Sequence, residues 1–128
     1  MREIKFRVWD AENHEMFLPK KIEWNTQGEL RFFNKYQMWQ RNMVLMQYTG
    51  LKDNNGKEIY EGDILEYEDD HHVGQKQTQV IWVECIAGFR LQNLDTEKYG
   101  AAEFGMEGKH HIIIGNIYEN PELFEVKK

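Results

Sequence analysis

The sequence predicts a mostly-β protein with little helix: an N-terminal antiparallel meander over residues 1–47, packed on a second run of strands over residues 48–128 as one compact unit. Three observations predict it. Ile4, Phe6 and Val8 alternate with Lys5, Arg7 and Trp9, the period-two signature of a half-buried strand. Turn-forming groups punctuate the chain at short intervals, among them Asn25-Thr26-Gln27-Gly28, Asn55-Gly56 and Gly62-Asp63. Apolar and β-branched residues concentrate in Val80–Ile86, the composition of a central strand.

The remaining elements follow in order. Asp10-Ala11-Glu12-Asn13 is a polar turn, Met16-Phe17-Leu18 a returning strand, and Pro19 stops its pairing. Ile22 and Trp24, then Leu30 and Phe32, give two further alternations about a turn. Residues 34 to 44 keep neither the helical nor the strand period and read as a connector with room for one helical turn. Asn55-Gly56 supplies the two positive-φ residues of a type I′ hairpin between Tyr48–Leu51 and Glu58–Tyr60. Gly62-Asp63 bends the chain into a strand over Ile64–Tyr67, and Glu68–His72 is too polar for a core. After Val80–Ile86, Gly88 turns the chain into Phe89-Arg90-Leu91. Residues 95 to 109, with Gly100, Gly105 and Gly108, read as a mobile loop. Ile112-Ile113-Ile114 opens the last strand, running to about Tyr118. Asn120-Pro121-Glu122 has the form of a helix start, with asparagine as cap and proline at the first helical position.

Composition bounds the function. Aromatics make up 13% of the 128 residues, enough to exclude a disordered polyelectrolyte. The single cysteine, Cys85, excludes an intramolecular disulfide and suits a reducing compartment. The N-terminus shows no apolar signal region, and no apolar run reaches the roughly 20 residues that span a membrane. The expectation is a soluble protein of the cytoplasm. A net charge of −6 opposes general affinity for phosphate backbones. The charge is unevenly spread: residues 1–48 carry eight bases against six acids, a balance of +2, and the rest eight bases against sixteen acids, a balance of −8.

Three blocks carry a resemblance. Arg2-Glu3-Ile4-Lys5-Phe6-Arg7-Val8-Trp9-Asp10, the run from Tyr48-Thr49-Gly50-Leu51-Lys52-Asp53 to Glu61-Gly62-Asp63-Ile64, and Ile114-Gly115-Asn116-Ile117-Tyr118-Glu119-Asn120-Pro121-Glu122-Leu123 resemble the YopX family, in the same order and across the whole chain. The resemblance implies a small protein of phages or prophages, mostly of Gram-positive bacteria, with a mostly-β fold whose C-terminal part, residues 48–128, is similar to an SH3-like, partly open barrel. It implies no catalytic residues. Residues 11–44 and 68–111 depart from the pattern, and a partner-specific surface is expected there.

Each feature that suggests chemistry has a plainer explanation. Placing Gly56 at the sixth position of a calcium loop puts Leu51 first and Gly62 twelfth, where carboxylates are required, so that reading fails. His71-His72 and His110-His111 are doublets whose rings point to opposite faces of an extended chain, which disfavours joint ligation; no metal and no cofactor are expected. Cys85 reads as a small buried hydrophobe sharing a face with Ile81 and Val83. Asn55, Gly56, Gly62 and Asp63 read as structural turn residues, Asp63 accepting hydrogen bonds from nearby amides. The remaining candidate is a partner-binding set: Trp24, Arg31, Phe33, Tyr36, Trp39 and Arg41. Aromatics interleaved with arginine suit a protein hot spot or a platform for stacking bases, and a shared core would use them too. The reading favoured is a non-enzymatic phage accessory protein that binds another protein or self-assembles. The alternatives are a nucleic-acid-binding module built on the front-half arginines and aromatics, and an enzyme whose site carries no recognisable motif.

Overall fold

The computed structural model describes residues 3–33, 43–68, 75–94, 102–103 and 110–124. The chain divides into two compact units, Glu3–Gln47 and Tyr48–Lys128. It is mostly β, with little helix and a curled half-barrel sheet.

In the first unit, β1 (Phe6–Asp10) pairs antiparallel with β2 (Glu15–Phe17) on one side and with the start of β5 (Met43–Lys52) on the other. Val8, Trp9 and Asp10 are buried in succession, so the expected alternation ends at Val8: Trp9 belongs to the interior with its neighbours, while Ile4 precedes the strand and is exposed. Asp10 forms the turn to β2. Its Oδ1 accepts from the amides of Glu12 and Asn13 and its Oδ2 from the Asn13 carboxamide, while His14 takes φ 53° and sets its ring edge-on to Trp9 at 5.8 Å. Leu18 falls after β2 and is exposed. β3 (Lys21–Trp24) and β4 (Leu30–Phe33) pair with each other as a two-stranded ribbon. Of the expected connector, residues 34–42 lie outside the described residues, and Met43 and Val44 belong to β5.

In the second unit, β5 pairs with β6 (Glu58–Tyr60), Tyr48 opposite Tyr60 with rings 5.5 Å apart. The turn between them is not type I′. Gly56 has φ 83°, but Asn55 is not among the positive-φ residues. The amide of Gly56 instead donates to the carbonyl of Asp53 at 3.0 Å, and that of Asp53 to the carbonyl of Lys57 at 2.8 Å. This is a three-residue loop of type I form closed by a glycine bulge. The aspartate decides it, because its side chain holds the amides that follow.

The larger sheet runs in the order β10-β9-β8-β7-β11, antiparallel throughout: β7 (Asp63–Glu68), β8 (Gln75–Val83), β9 (Gly88–Asn93), β10 (Ala102–Glu103) and β11 (His110–Asn116). Directly opposed residues share a face. Leu65 opposes Thr78 and Ile113, Val80 opposes Leu91, and Trp82 opposes Phe89. That face carries the core, in which Leu65, Val80 and Leu91 gather with Ile59 against Phe89 and Ile113. Each such aliphatic side chain contributes about 1.5–3 kcal/mol on burial. Ile64 and Gln79, opposed on the other face, are also buried, so the middle of the sheet is covered on both sides.

The structure moves the expected ends of two strands. The central strand ends at Val83; Glu84–Ile86 form a single 3-10 turn, closed by Ala87 in the left-handed region at φ 49°, ψ 51°. Cys85 therefore sits in a turn and is exposed, not buried in a strand. β11 starts two residues before the expected Ile112 and stops at Asn116, because the Asn116 side chain turns the chain. Its Oδ1 accepts from the amides of Tyr118 and Glu119, and its Nδ2 donates to Glu119. Pro121 is the first residue of α1 (Pro121–Phe124). The Asn120 side chain is directed back, accepting from the amide of Asn116. Of the expected mobile loop, Ala102 and Glu103 pair with β9, and the other residues of 95–109 lie outside the described residues.

Candidate functional site

The β3–β4 ribbon displays three members of the expected binding set. Its register opposes Lys21 to Phe33, Ile22 to Phe32, Glu23 to Arg31 and Trp24 to Leu30. One face thus carries Ile22, Trp24, Leu30 and Phe32, and the other Lys21, Glu23, Arg31 and Phe33. Phe32 is buried, but burial fades toward the turn, leaving Leu30 40% and Trp24 69% exposed. On the other face Lys21 Nζ lies 5.3 Å from the centre of the half-buried Phe33 ring and pairs with Glu23 at 3.1 Å. Trp24 is therefore separated from Arg31 and Phe33 by the ribbon itself. Tyr36, Trp39 and Arg41 lie outside the described residues.

The ribbon turn is held by Asn25. Its Oδ1 accepts from the amides of Gln27 at 2.9 Å and Glu29 at 2.8 Å, Gly28 takes φ 81°, and the amide of Gly28 donates to the Asn25 carbonyl. The rigid turn fixes the strand ends on which Trp24 and Leu30 stand.

A second apolar surface escaped the sequence reading. At the β8–β9 end, Trp82 and Phe89 stack edge to face at 5.1 Å. Trp82 is 44% and Ile86 47% exposed, with Phe89 half-buried and Cys85 and Glu84 on the intervening turn. Trp82 shares the core face with Val80, but one register step beyond Val80 that face opens to solvent. The available signal was Ala87-Gly88 after a β-branched run, which marks a hairpin end there.

The turn residues form two polar anchors. Asp53, 7% exposed, accepts from the amides of Asn55 and Lys57 through Oδ1 and of Ile113 through Oδ2. Burial alone raises its pKa, but these three amides and the Lys57 charge outweigh it and hold the carboxyl below the ordinary 3.8. Asp63, also buried, accepts from the Tyr60 amide at 2.8 Å. Gly62, at φ 90°, donates to the Val80 carbonyl and accepts from the Ile117 amide. Among the described residues no group of three or more His, Cys, Asp or Glu is placed to hold a metal ion. His71 and His72 lie outside them. No described helix is long and apolar enough to cross a membrane.

The geometry can be set beside known proteins. The model of the YopX protein family matches residues 5–125. The chain belongs to the YopX family. Among solved structures it is similar to protein EF1440 from Enterococcus faecalis, at 28% identity and TM-score 0.64, over 98% of this chain and all of that one. It is likewise similar in fold to the protein yopX from Bacillus subtilis, at 24% identity and TM-score 0.62, over the full length of both. No curated protein matches the chain.

Proposed function

We propose that this YopX-family protein is a non-enzymatic phage or prophage accessory protein of the bacterial cytoplasm, acting by binding another protein or by self-assembly. The carrying observation is Trp24, 69% exposed at the end of a rigidly turned ribbon with Leu30 exposed opposite it. A tryptophan displayed on ordered backbone costs little side-chain entropy to immobilise and offers a large apolar area, the properties of an interface anchor. An SH3-like arrangement of the half-barrel belongs to the same proposal.

The test is affinity capture from lysogenic or infected cells with nuclease-treated controls, alongside sedimentation of the purified chain. Trp24→Ala is expected to lower partner retention or self-association by tenfold or more, as loss of a roughly 2 kcal/mol anchor requires. Unchanged capture and sedimentation would remove Trp24 from the reading.

A second reading, single-stranded nucleic acid binding, draws on the Lys21, Arg31 and Phe33 face of the same ribbon. It requires oligonucleotide affinity that falls steeply with salt and is weakened by Arg31→Ala. The net charge of −6 favours the protein-binding reading.

A further inference from the structure

We propose that Asn55-Gly56 is a site of spontaneous deamidation whose rate is gated by the Asp53 turn. It is the one Asn-Gly pair in the chain. Asn55 is exposed, and its carboxamide makes no hydrogen bond among the described residues, its only bond being through the main-chain amide. A Cβ built on Gly56 would meet nothing within 4 Å. The side chain to be attacked is exposed, and the space beside the Gly56 Cα is open.

The nitrogen itself is restrained. The Gly56 amide donates to the Asp53 carbonyl at 3.0 Å, while Asp53 Oδ1 holds the amides of Asn55 at 2.9 Å and Lys57 at 2.8 Å. To react, the Gly56 nitrogen must release its hydrogen bond and swing toward the Asn55 carboxamide, so the chemistry proceeds from the opened turn. Gly56 N then gives its proton to a solvent base and bonds to Asn55 Cγ. The Cγ–Nδ2 bond breaks, and Nδ2 takes a proton from water and leaves as ammonia. In a second step water adds to one carbonyl of the succinimide and the bond from that carbon to the Gly56 nitrogen breaks: opening at Asn55 Cγ gives aspartate, and opening at the Asn55 main-chain carbonyl carbon gives isoaspartate. One water is consumed, one ammonia is released, and nothing is oxidised or reduced.

The isoaspartyl product inserts a methylene into the main chain between residues 55 and 56. The spacing that lets one carboxylate oxygen hold residues 55 and 57 is then lost. Because Asn54 N donates to the His111 carbonyl and Ile113 N to Asp53 Oδ2, the damage reaches β11.

The test incubates the full-length protein, folded and in concentrated urea, at one pH and temperature. The tryptic peptide Asp53–Lys57 is followed by mass and elution, with peptides holding Asn25 and Asn116 as internal controls. Conversion at Asn55 is expected to be roughly tenfold or more slower in the folded protein, the protection that even a modest opening cost confers. In urea it should outpace Asn25 and Asn116, whose following residues are Thr26 and Ile117. Asp53→Ala should speed the folded-state reaction; if that variant does not fold, the wild-type pair of rates still decides. Ion exchange should separate the converted form by its added negative charge, and its urea midpoint should be lower. Equal rates in folded and unfolded chains, or earlier conversion at Asn25 or Asn116 in urea, overturns the proposal.

Discussion

The β3–β4 and β5–β6 hairpins close with the same loop built from different residues. Asn25 and Asp53 each stand at the first position, with Oδ1 accepting from the amides two and four residues on. Gly28 and Gly56 each follow three residues later with φ 81° and 83°. The hydrogen-bond lengths agree within 0.1 Å, so the local code is one: an Asx residue, two free positions, and a glycine. The difference lies in the second oxygen. Asp53 Oδ2 accepts from Ile113, sixty residues away, whereas the Asn25 side chain offers Nδ2 to Glu29 at 3.4 Å and stays local. A carboxylate with two acceptors can serve a turn and a distant strand together, and a carboxamide cannot.

The largest expected effect breaks that difference. Asp53→Ala removes one charged acceptor shared by three amides and should destabilise by about 3 kcal/mol in urea unfolding. A loss under about 1 kcal/mol would show that the contact to β11 contributes nothing beyond the turn.

Next comes the exchange of charge for amide. Asp53→Asn keeps Oδ1 for the turn but sets Nδ2, a donor, against the Ile113 amide, and about 2 kcal/mol should be lost. The pH dependence follows from the lowered pKa. A carboxyl whose folded pKa lies below its unfolded value contributes fully above the unfolded pKa, near 3.8, and loses that contribution as pH falls toward the folded value. Stability measured from pH 6 downward should therefore fall below about pH 4. The wild type should fall more steeply than Asp53→Asn; parallel curves would remove Asp53 from the acid response.

How much of this was legible follows from the same two loops. Asn-Gly alone suggested a two-residue type I′ turn, a rule that looks only at the central pair. The deciding residue is Asp53, and the parallel Asn25-Thr26-Gln27-Gly28 carries the same pattern of an Asx residue three positions before a glycine. The bond from Asp53 to Ile113 had no local signal, because nothing in either segment states that they meet. The strands around Leu65, Val80 and Leu91 were readable from apolar and β-branched composition. That criterion also carried the central strand three residues too far, hiding the exposed Cys85 and the Trp82–Phe89 surface. Proximity in sequence groups Trp24, Arg31 and Phe33, but strand alternation puts the tryptophan on the other side of the ribbon from the other two.

The glycines offer the opposite kind of test, one in which the two hairpins should agree. Neither Gly28 nor Gly56 would bring a Cβ within 4 Å of another group, so alanine at either meets only the left-handed backbone penalty. Gly28→Ala and Gly56→Ala should each cost about 1 kcal/mol, and their difference should be small beside that. A much larger loss at Gly56 would mean that the hairpin whose turn is bonded to β11 also requires a backbone adjustment that the locally closed one does not.

The smallest effect is expected at Asn25, and it isolates what an exposed turn is worth by itself. Asn25→Ala leaves the amides of Gln27 and Glu29 without their side-chain acceptor, but both stand in exposed surroundings where water replaces it. The net worth of a solvent-replaceable hydrogen bond is about 0.5–1 kcal/mol, so the midpoint should move only slightly. Asn25→Asp keeps Oδ1 in place and forfeits only the 3.4 Å contact to Glu29, in exchange for a like-charge neighbour. The cost should stay near 0.5 kcal/mol and shrink with added salt, because both groups are exposed and screened. Set against Asp53→Asn, that gives one chemical exchange run in two directions on one loop geometry. If Asn25→Asp instead costs as much as Asp53→Asn, the distant amide of Ile113 is not what separates the hairpins, and the difference lies in the turn alone.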